Sequence, residues 1–251
     1  MNKLLDWRIF FQELPGGGEE YWQLIVSGIY WTLGVSACAW VIALVIGSVI
    51  GTIRTTQHPW LVRAGNAWVE LFRNVPLLVQ MFLWYFVIPE FVPPLKAWII
   101  ASAPAHAQFI AAVLCLGLFT SARVAEQVRA GIQSLPRGQR MAGTAMGLTQ
   151  YQTYRYVILP QAFRIIMPPL TSEFMNVIKN SSVALTIGLL ELTGRARAMQ
   201  EFSFQVFEAF AAATVIYLIT NLVVVLGMRT LERKIRVPGL IAAGGAPMAG
   251  H

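Results

Sequence analysis

From Tyr21 to Ile53 the chain carries no charged residue. A helix needs about 20 apolar residues to cross a hydrocarbon core of about 30 Å. The run therefore predicts one membrane span whose first turns lie in the interface, anchored by Tyr21, Trp22, Tyr30 and Trp31. Within it, Gly47 and Gly51 are a small-xxx-small pair, which either admits a close neighbour or is ordinary membrane-helix glycine. Residues 59–73 read as an amphipathic lead-in lying on the membrane. A short second span follows at about 74–89 (NVPLLVQMFLWYFVIP), and the Pro-rich stretch 89–104 predicts a loop. A third span covers about 107–128 and a fifth about 209–228. The fourth, about 163–185, is weak because it holds Pro168, Pro169, Glu173, Lys179 and Asn180. Such a composition suits a helix that lines a pathway, since a lipid-facing helix cannot carry it. The pattern predicts an all-α integral membrane protein with five transmembrane helices. Residues 1–20 form an N-terminal interfacial segment, 21–236 the membrane domain, and 237–251 a flexible tail.

Composition agrees. Of 251 residues, 12% are charged and 56% hydrophobic, against about 25% and 45–50% in soluble domains; part of this apolar surface must face lipid. The net charge of +7 does not indicate a nucleic-acid partner, because the 19 Lys and Arg are scattered between apolar runs. Their distribution instead orients the chain. Twelve fall on the side holding 54–73, 129–164 and 229–236, and five on the side of Lys3, Arg8, Lys96, Arg195 and Arg197. By the positive-inside rule the N-terminus is outside and the C-terminus cytoplasmic. Cys38 and Cys115 sit in apolar runs as packing residues. His58, His106 and His251 lack ligand spacing, so no metal is expected. No Gly-Lys pair exists to build a Walker A loop, so no ATPase resides in this chain. The N-terminus lacks an uninterrupted apolar h-region and is expected to be retained.

The longest cytoplasmic connection, 130–162, is too structured for a linker. Residues 139–146 have helix-forming composition, Gly147 is a natural stop, Thr149 or Gln150 can begin a second short helix, and Pro160 is expected to close it. Helix, glycine corner and helix make a rigid knob, suited to receive force from a soluble partner.

This segment resembles the cytoplasmic signature of bacterial ABC-importer permeases, E-A-A-x3-G-x9-I-x-L-P. The matching residues are Met141, Ala142, Gly143, Gly147, Val157, Leu159 and Pro160; Met141 replaces the leading Glu, Gly143 the second Ala and Val157 the Ile. The resemblance covers about 20–236. The stretch from Phe72 to Gln80 is similar to the FR-x-x-P-L-L-V-Q element of polar amino-acid permeases. Ser121 to Glu126 matches the end of their third span, where members for basic amino acids and glutamine tend to have Tyr in place of Arg123. Residues 179–182 resemble their K-x-[ST]-S element. The subgroup most similar is the glutamate/aspartate permease. The resemblance implies a type I ABC importer of the bacterial inner membrane. Its other parts would be two ATP-binding subunits on the coupling loop, a second permease subunit (related or identical) and a periplasmic amino-acid-binding protein. ATP and Mg would be bound by the partner ATPase, with no cofactor in this chain. Arg140 and the signature residues would meet that ATPase.

Individual side chains carry alternatives. Arg123 lies within a span, and a guanidinium there either grips a substrate carboxylate with two hydrogen bonds or snorkels and pairs with Glu126. Lys179 either binds substrate or pairs with Glu173. Asn180, Ser181 and Ser182 offer donors and acceptors to a zwitterion, or bond their own backbone. Glu126 either holds a substrate ammonium or pairs with Arg129 or Arg123. Pro76 either shapes the pathway or marks the join with the lead-in, freeing a carbonyl. The leading expectation is the permease of an acidic amino-acid importer. The alternatives are a permease for glutamine or basic amino acids and an ion-coupled secondary transporter. The latter usually shows internal repeats and more spans.

Overall fold

The computed structural model describes residues 6–235, the side chains of Arg137, Arg140 and Ile235 excepted. Arg236 and the predicted tail lie outside the described residues. The uncharged run forms α1, Tyr21–Ile53. After a short turn, Pro59–Asn74 forms α2 and Leu77–Phe91 forms α3, bent by 100° from each other. Next come α4 (Pro93–Ala101) and α5 (Pro104–Ser134). The knob opens with α6, Arg137–Ala145. The helical segments Gln150–Thr153, Tyr154–Ile158 and Leu159–Asn180 run on without a break as α7 (150–180), the middle one a π-helical turn. A 3-10 segment, Ser181–Ile187, then leads to α8 (Leu192–Ser203) and α9 (Val206–Ile235).

By length and composition α1, α5 and α9 can each cross a membrane, and the bent pair α2–α3 makes a fourth if it is one span. Helix α7 is long enough but is the polar one, as its sequence predicts, and is not counted on composition.

Helices α1 and α5 form the central pair. A Cβ on Gly47 would lie 2.6 Å from the Val124 Cβ and 2.7 Å from the Ser121 carbonyl oxygen; one on Gly51 would lie 2.6 Å from that of Ala125. Both glycines therefore permit close approach, the first of the two sequence readings. Around this contact Val35, Ala39, Cys115 and Leu116 are wholly buried. Helix α9 behaves differently: Leu218, Leu222, Val223 and Leu226 all point outward. Its first turns hold the N-terminal segment through a bond of 2.7 Å from the Asp6 amide to Glu208.

The 100° bend has a chemical cause. Pro76 has no N–H, so the carbonyl of Phe72, four residues earlier, loses its helical donor. The buried side chain of Gln80 replaces it: Nε2 donates to the Phe72 carbonyl at 3.0 Å and to that of Val75 at 2.9 Å. Pro76 thus sits at the join between lead-in and span.

Two expectations are corrected. The stretch 89–104 is not an open loop, because α3 runs to Phe91 and α4 occupies most of the rest. Pro93 and Pro94 stand in the first turn of α4, where a missing N–H costs no intrahelical bond. Nor does Pro160 close the second helix of the knob. It follows the π turn Tyr154–Ile158, whose wider i→i+5 bonding accommodates the missing donor, and the helix continues through it.

Candidate functional site

On α5, Phe119, Arg123 and Glu126 recur at i, i+4 and i+7, which brings them to one face. That face borders a cavity of about 470 Å³, closed by Phe72 and Arg73 from the end of α2 and by Glu173 from α7. Arg123 lies with its guanidinium 5.2 Å above the Phe119 ring centre and Nη1 3.7 Å from the Glu173 carboxylate. At 3.7 Å this is an ion pair without a hydrogen bond. Glu173 Oε2 is buried and accepts no hydrogen bond. A loosely held guanidinium and an under-used carboxylate thus face each other across the cavity wall.

Glu126 is held from the other side. Its carboxylate lies 2.9 Å from Arg54 Nη2 and 3.5 Å from Arg73 Nη1. Arg54, at the end of α1, has a side chain only 5% exposed, and its Nε donates to Asn66 Oδ1 at 2.8 Å. The ion pairs sought within neighbouring turns are therefore replaced by pairs between helices. Glu126 meets Arg54 and Arg73 instead of Arg123 or Arg129, and Glu173 meets Arg123 instead of Lys179. A separation of six residues puts Lys179 and Glu173 on different faces of one helix, which the sequence reading overlooked.

Lys179, Asn180 and Ser181 do not line this cavity. Lys179 is exposed and Asn180 half-buried. Ser181 is buried, its hydroxyl donating to the Ile178 carbonyl at 2.8 Å, and Ser182 donates to that of Lys179 at 2.8 Å. Both serines follow the backbone-bonding alternative.

The knob is built as its sequence suggests. Gly147 adopts φ +76°. The Leu148 amide donates to the Gly143 carbonyl and the Gly147 amide to that of Thr144, both at 3.0 Å, which satisfies the end of α6 as a Schellman motif. Two residues on, Thr149 begins α7 with a capping box. Its hydroxyl accepts from the Gln152 amide, and the Gln152 side chain accepts from the Thr149 amide. Gly143 lets the two arms touch, since a Cβ there would lie 2.7 Å from Thr153 Cγ2. The Tyr154 hydroxyl donates to the Thr55 carbonyl at 2.9 Å, tying the knob to the end of α1. Met141, Met146 and Tyr151 are exposed, an apolar surface on an otherwise polar corner. Ala142 and Gly143 share α6 with Arg140, whose side chain lies outside the described residues. Leu159 and Pro160 belong to α7.

Besides Arg54 and Arg73, a further residue escaped the sequence reading. Glu191, fully buried, caps α8 by accepting from the amides of Thr193 (3.0 Å) and Gly194 (2.9 Å), and it accepts from the Tyr217 hydroxyl at 2.8 Å. Burial raises its pKa above the usual carboxylate range, against the opposing pull of these hydrogen bonds. The signal was a lone acid before Leu-Thr-Gly between apolar runs, at a position where Ser or Asp usually caps.

Residues 43–237 match the family model described as "Binding-protein-dependent transport system inner membrane component". The glutamate/aspartate import permease protein GltJ of Escherichia coli K12 is 50% identical over 93% of this chain and 96% of its own length. The glutamine transport system permease protein GlnP of the same organism is 32% identical over 92% and 98%. A crystal structure of an amino acid ABC transporter with histidines superposes with a TM-score of 0.73 at 32% identity, covering 85% of this chain and 95% of that one.

Proposed function

The chain belongs to the binding-protein-dependent transport system inner membrane components and is the membrane permease of an ABC importer; from that premise we propose that it carries acidic amino acids through the cavity around Arg123. The observation behind this reading is the pairing of guanidinium and carboxylate groups there. A dicarboxylic amino acid presents two carboxylates and one ammonium. Arg73 and Arg123 complement the carboxylates, and Glu173, with Oε2 free of hydrogen bonds, complements the ammonium. The side chain of Arg123 is 44% exposed and hydrogen-bonded to no carboxylate, so a substrate can take the place of Glu173 at modest cost. A basic side chain cannot replace the second carboxylate in meeting a guanidinium of Arg73 or Arg123, which disfavours basic amino acids. Lys179 and Asn180 stand about 9 Å further along the α7 axis, at a rise of about 1.5 Å per residue, as a second polar contact on the route.

The same reading covers the rest of the complex. The N-terminus faces the periplasm and the C-terminus the cytoplasm, by the excess of basic residues on the knob's side. Two ATP-binding subunits dock on α6 and the Gly147 corner, where Met141, Met146 and Tyr151 present apolar contacts. They supply ATP and Mg and carry out the hydrolysis; this chain forms the pathway. A second permease subunit and a periplasmic binding protein complete the importer.

The test is ATP-dependent uptake of labelled glutamate by the assembled complex in proteoliposomes, with binding protein and competing amino acids. Aspartate is expected to compete, and arginine and histidine are not. Competition by arginine would overturn the acidic-substrate reading and leave the permease architecture standing.

A further inference from the structure

The four charged groups of the cavity wall, Arg73, Arg123, Glu126 and Glu173, cancel. Behind the wall Arg54 adds one positive charge, in direct contact with Glu126. Its side chain is fixed on three sides. Glu126 lies 2.9 Å away, Asn66 accepts from Nε at 2.8 Å, and Gly65 lets α2 rest on the stem, since a Cβ there would lie 2.6 Å from Arg54 Cγ. Buried beneath α2, Arg54 does not line the cavity and cannot touch a substrate. Its Nη1 is also buried without a hydrogen-bond partner. A buried guanidinium with an unmatched donor is a poor way to gain stability, because desolvation offsets most of the attraction to its partner. It is an effective way to neutralise a carboxylate.

We infer that Arg54 is a specificity-determining residue: by neutralising Glu126 from behind, it leaves the cavity with a net charge of one positive unit, the complement of an amino acid carrying one net negative charge. The inference rests on the acidic-substrate reading above and extends it to a residue that meets no substrate. Without Arg54 the same wall is neutral overall and suits a zwitterion such as glutamine. The role is positional and electrostatic, acting through Glu126.

The experiment measures displacement of labelled glutamate by unlabelled glutamine on the purified, assembled complex without binding protein, so that delivery does not set the selectivity. Wild type is compared with R54M, E126Q and the double variant R54M/E126Q. R54M is expected to lower the preference for glutamate over glutamine about tenfold, the size expected for one unit charge at short range in a partly buried site. E126Q, with one more net positive charge, is expected to raise it. The double variant restores the wild-type net charge and is expected to restore the preference, which a merely structural role for Arg54 would not produce. An unchanged preference in R54M overturns the inference, as does a double variant that keeps the R54M value. If R54M does not assemble, E126Q and the double variant decide: no rise in the first, or a departure from wild type in the second, overturns it. A wild-type complex without preference for glutamate removes the acidic-substrate reading and this inference with it.

Discussion

Gln80 donates a hydrogen bond of 3.0 Å to the carbonyl of Phe72, the group that Pro76 leaves without its helical partner. Phe72 also lines the cavity, so one residue joins the bend between α2 and α3 to the wall of the proposed pathway. Replacing Gln80 by Leu keeps the volume and leaves two carbonyls unsatisfied. The expected cost is about 1–3 kcal/mol for the buried Phe72 carbonyl, read as a lower Tm of the purified complex. P76A supplies the missing N–H, so in the double variant the effect of Q80L is expected to shrink. A full-sized effect of Q80L in the P76A background would separate Gln80 from the proline.

Arg123→Tyr is expected to weaken glutamate binding by the worth of a charged hydrogen-bonded contact, about 1.5–3 kcal/mol. Assembly should survive, because the side chain is 44% exposed and its pair with Glu173 is loose. Binding of labelled glutamate to the complex, with the yield of assembled complex as control, checks both halves. Unchanged affinity would return Arg123 to a role at the helix surface.

At the knob, Gly143→Ala would force a methyl to 2.7 Å from Thr153 Cγ2 and 2.8 Å from Oγ1. The arms must part, and ATP hydrolysis is expected to continue with reduced uptake. Removing the obstruction with T153A is expected to recover part of the coupling. Gly147→Val, at φ +76°, strains the corner by about 1–3 kcal/mol without that remedy. The readout is amino acid transported per ATP hydrolysed; a normal ratio in Gly143→Ala would remove the corner from the coupling pathway.

Glu191→Ala strips α8 of its cap and the Tyr217 hydroxyl of its acceptor. Loss of a cap alone costs about 0.5–2 kcal/mol, so a clear fall in Tm is expected. The pH dependence has a definite sign. Burial raises the folded pKa of Glu191, so the folded chain binds its proton more readily than the unfolded one. The resulting stabilisation is complete below the ordinary carboxylate pKa and is lost as pH rises through the raised value. Melting of wild type against Glu191→Gln across acid to neutral pH should show this decline in the first only; parallel curves would contradict it.

Much of the fold was legible because membrane helices advertise themselves in composition. The uncharged run marked α1 at both ends, and the amphipathic stretch 59–73 became α2 with one residue added. The knob was legible for a local reason too, since Gly147 and Thr149 act through their own turns. What local pattern could not give was partnership across helices. Glu126 was weighed against arginines three residues away, yet its partners come from α1 and α2. Glu191 was invisible for the same cause: its partner Tyr217 lies on α9, and only packing makes a lone acid into a cap and a staple. Pro160 misled in the other direction. A proline reads as a stop unless a π turn precedes it, and nothing in a short run of mixed residues marks a π turn.

The unbroken course of α7 has a thermodynamic consequence. One helix carries the second arm of the knob at its start and Glu173 near its far end, about 35 Å away at a rise of about 1.5 Å per residue. Where two ligands bias the same element, their binding free energies are linked reciprocally. Any factor by which nucleotide on the motor alters affinity for cargo in the cavity must equal the factor by which cargo alters affinity for nucleotide. Nucleotide affinity with and without cargo, and cargo affinity with and without nucleotide, are then two measurements of a single coupling free energy.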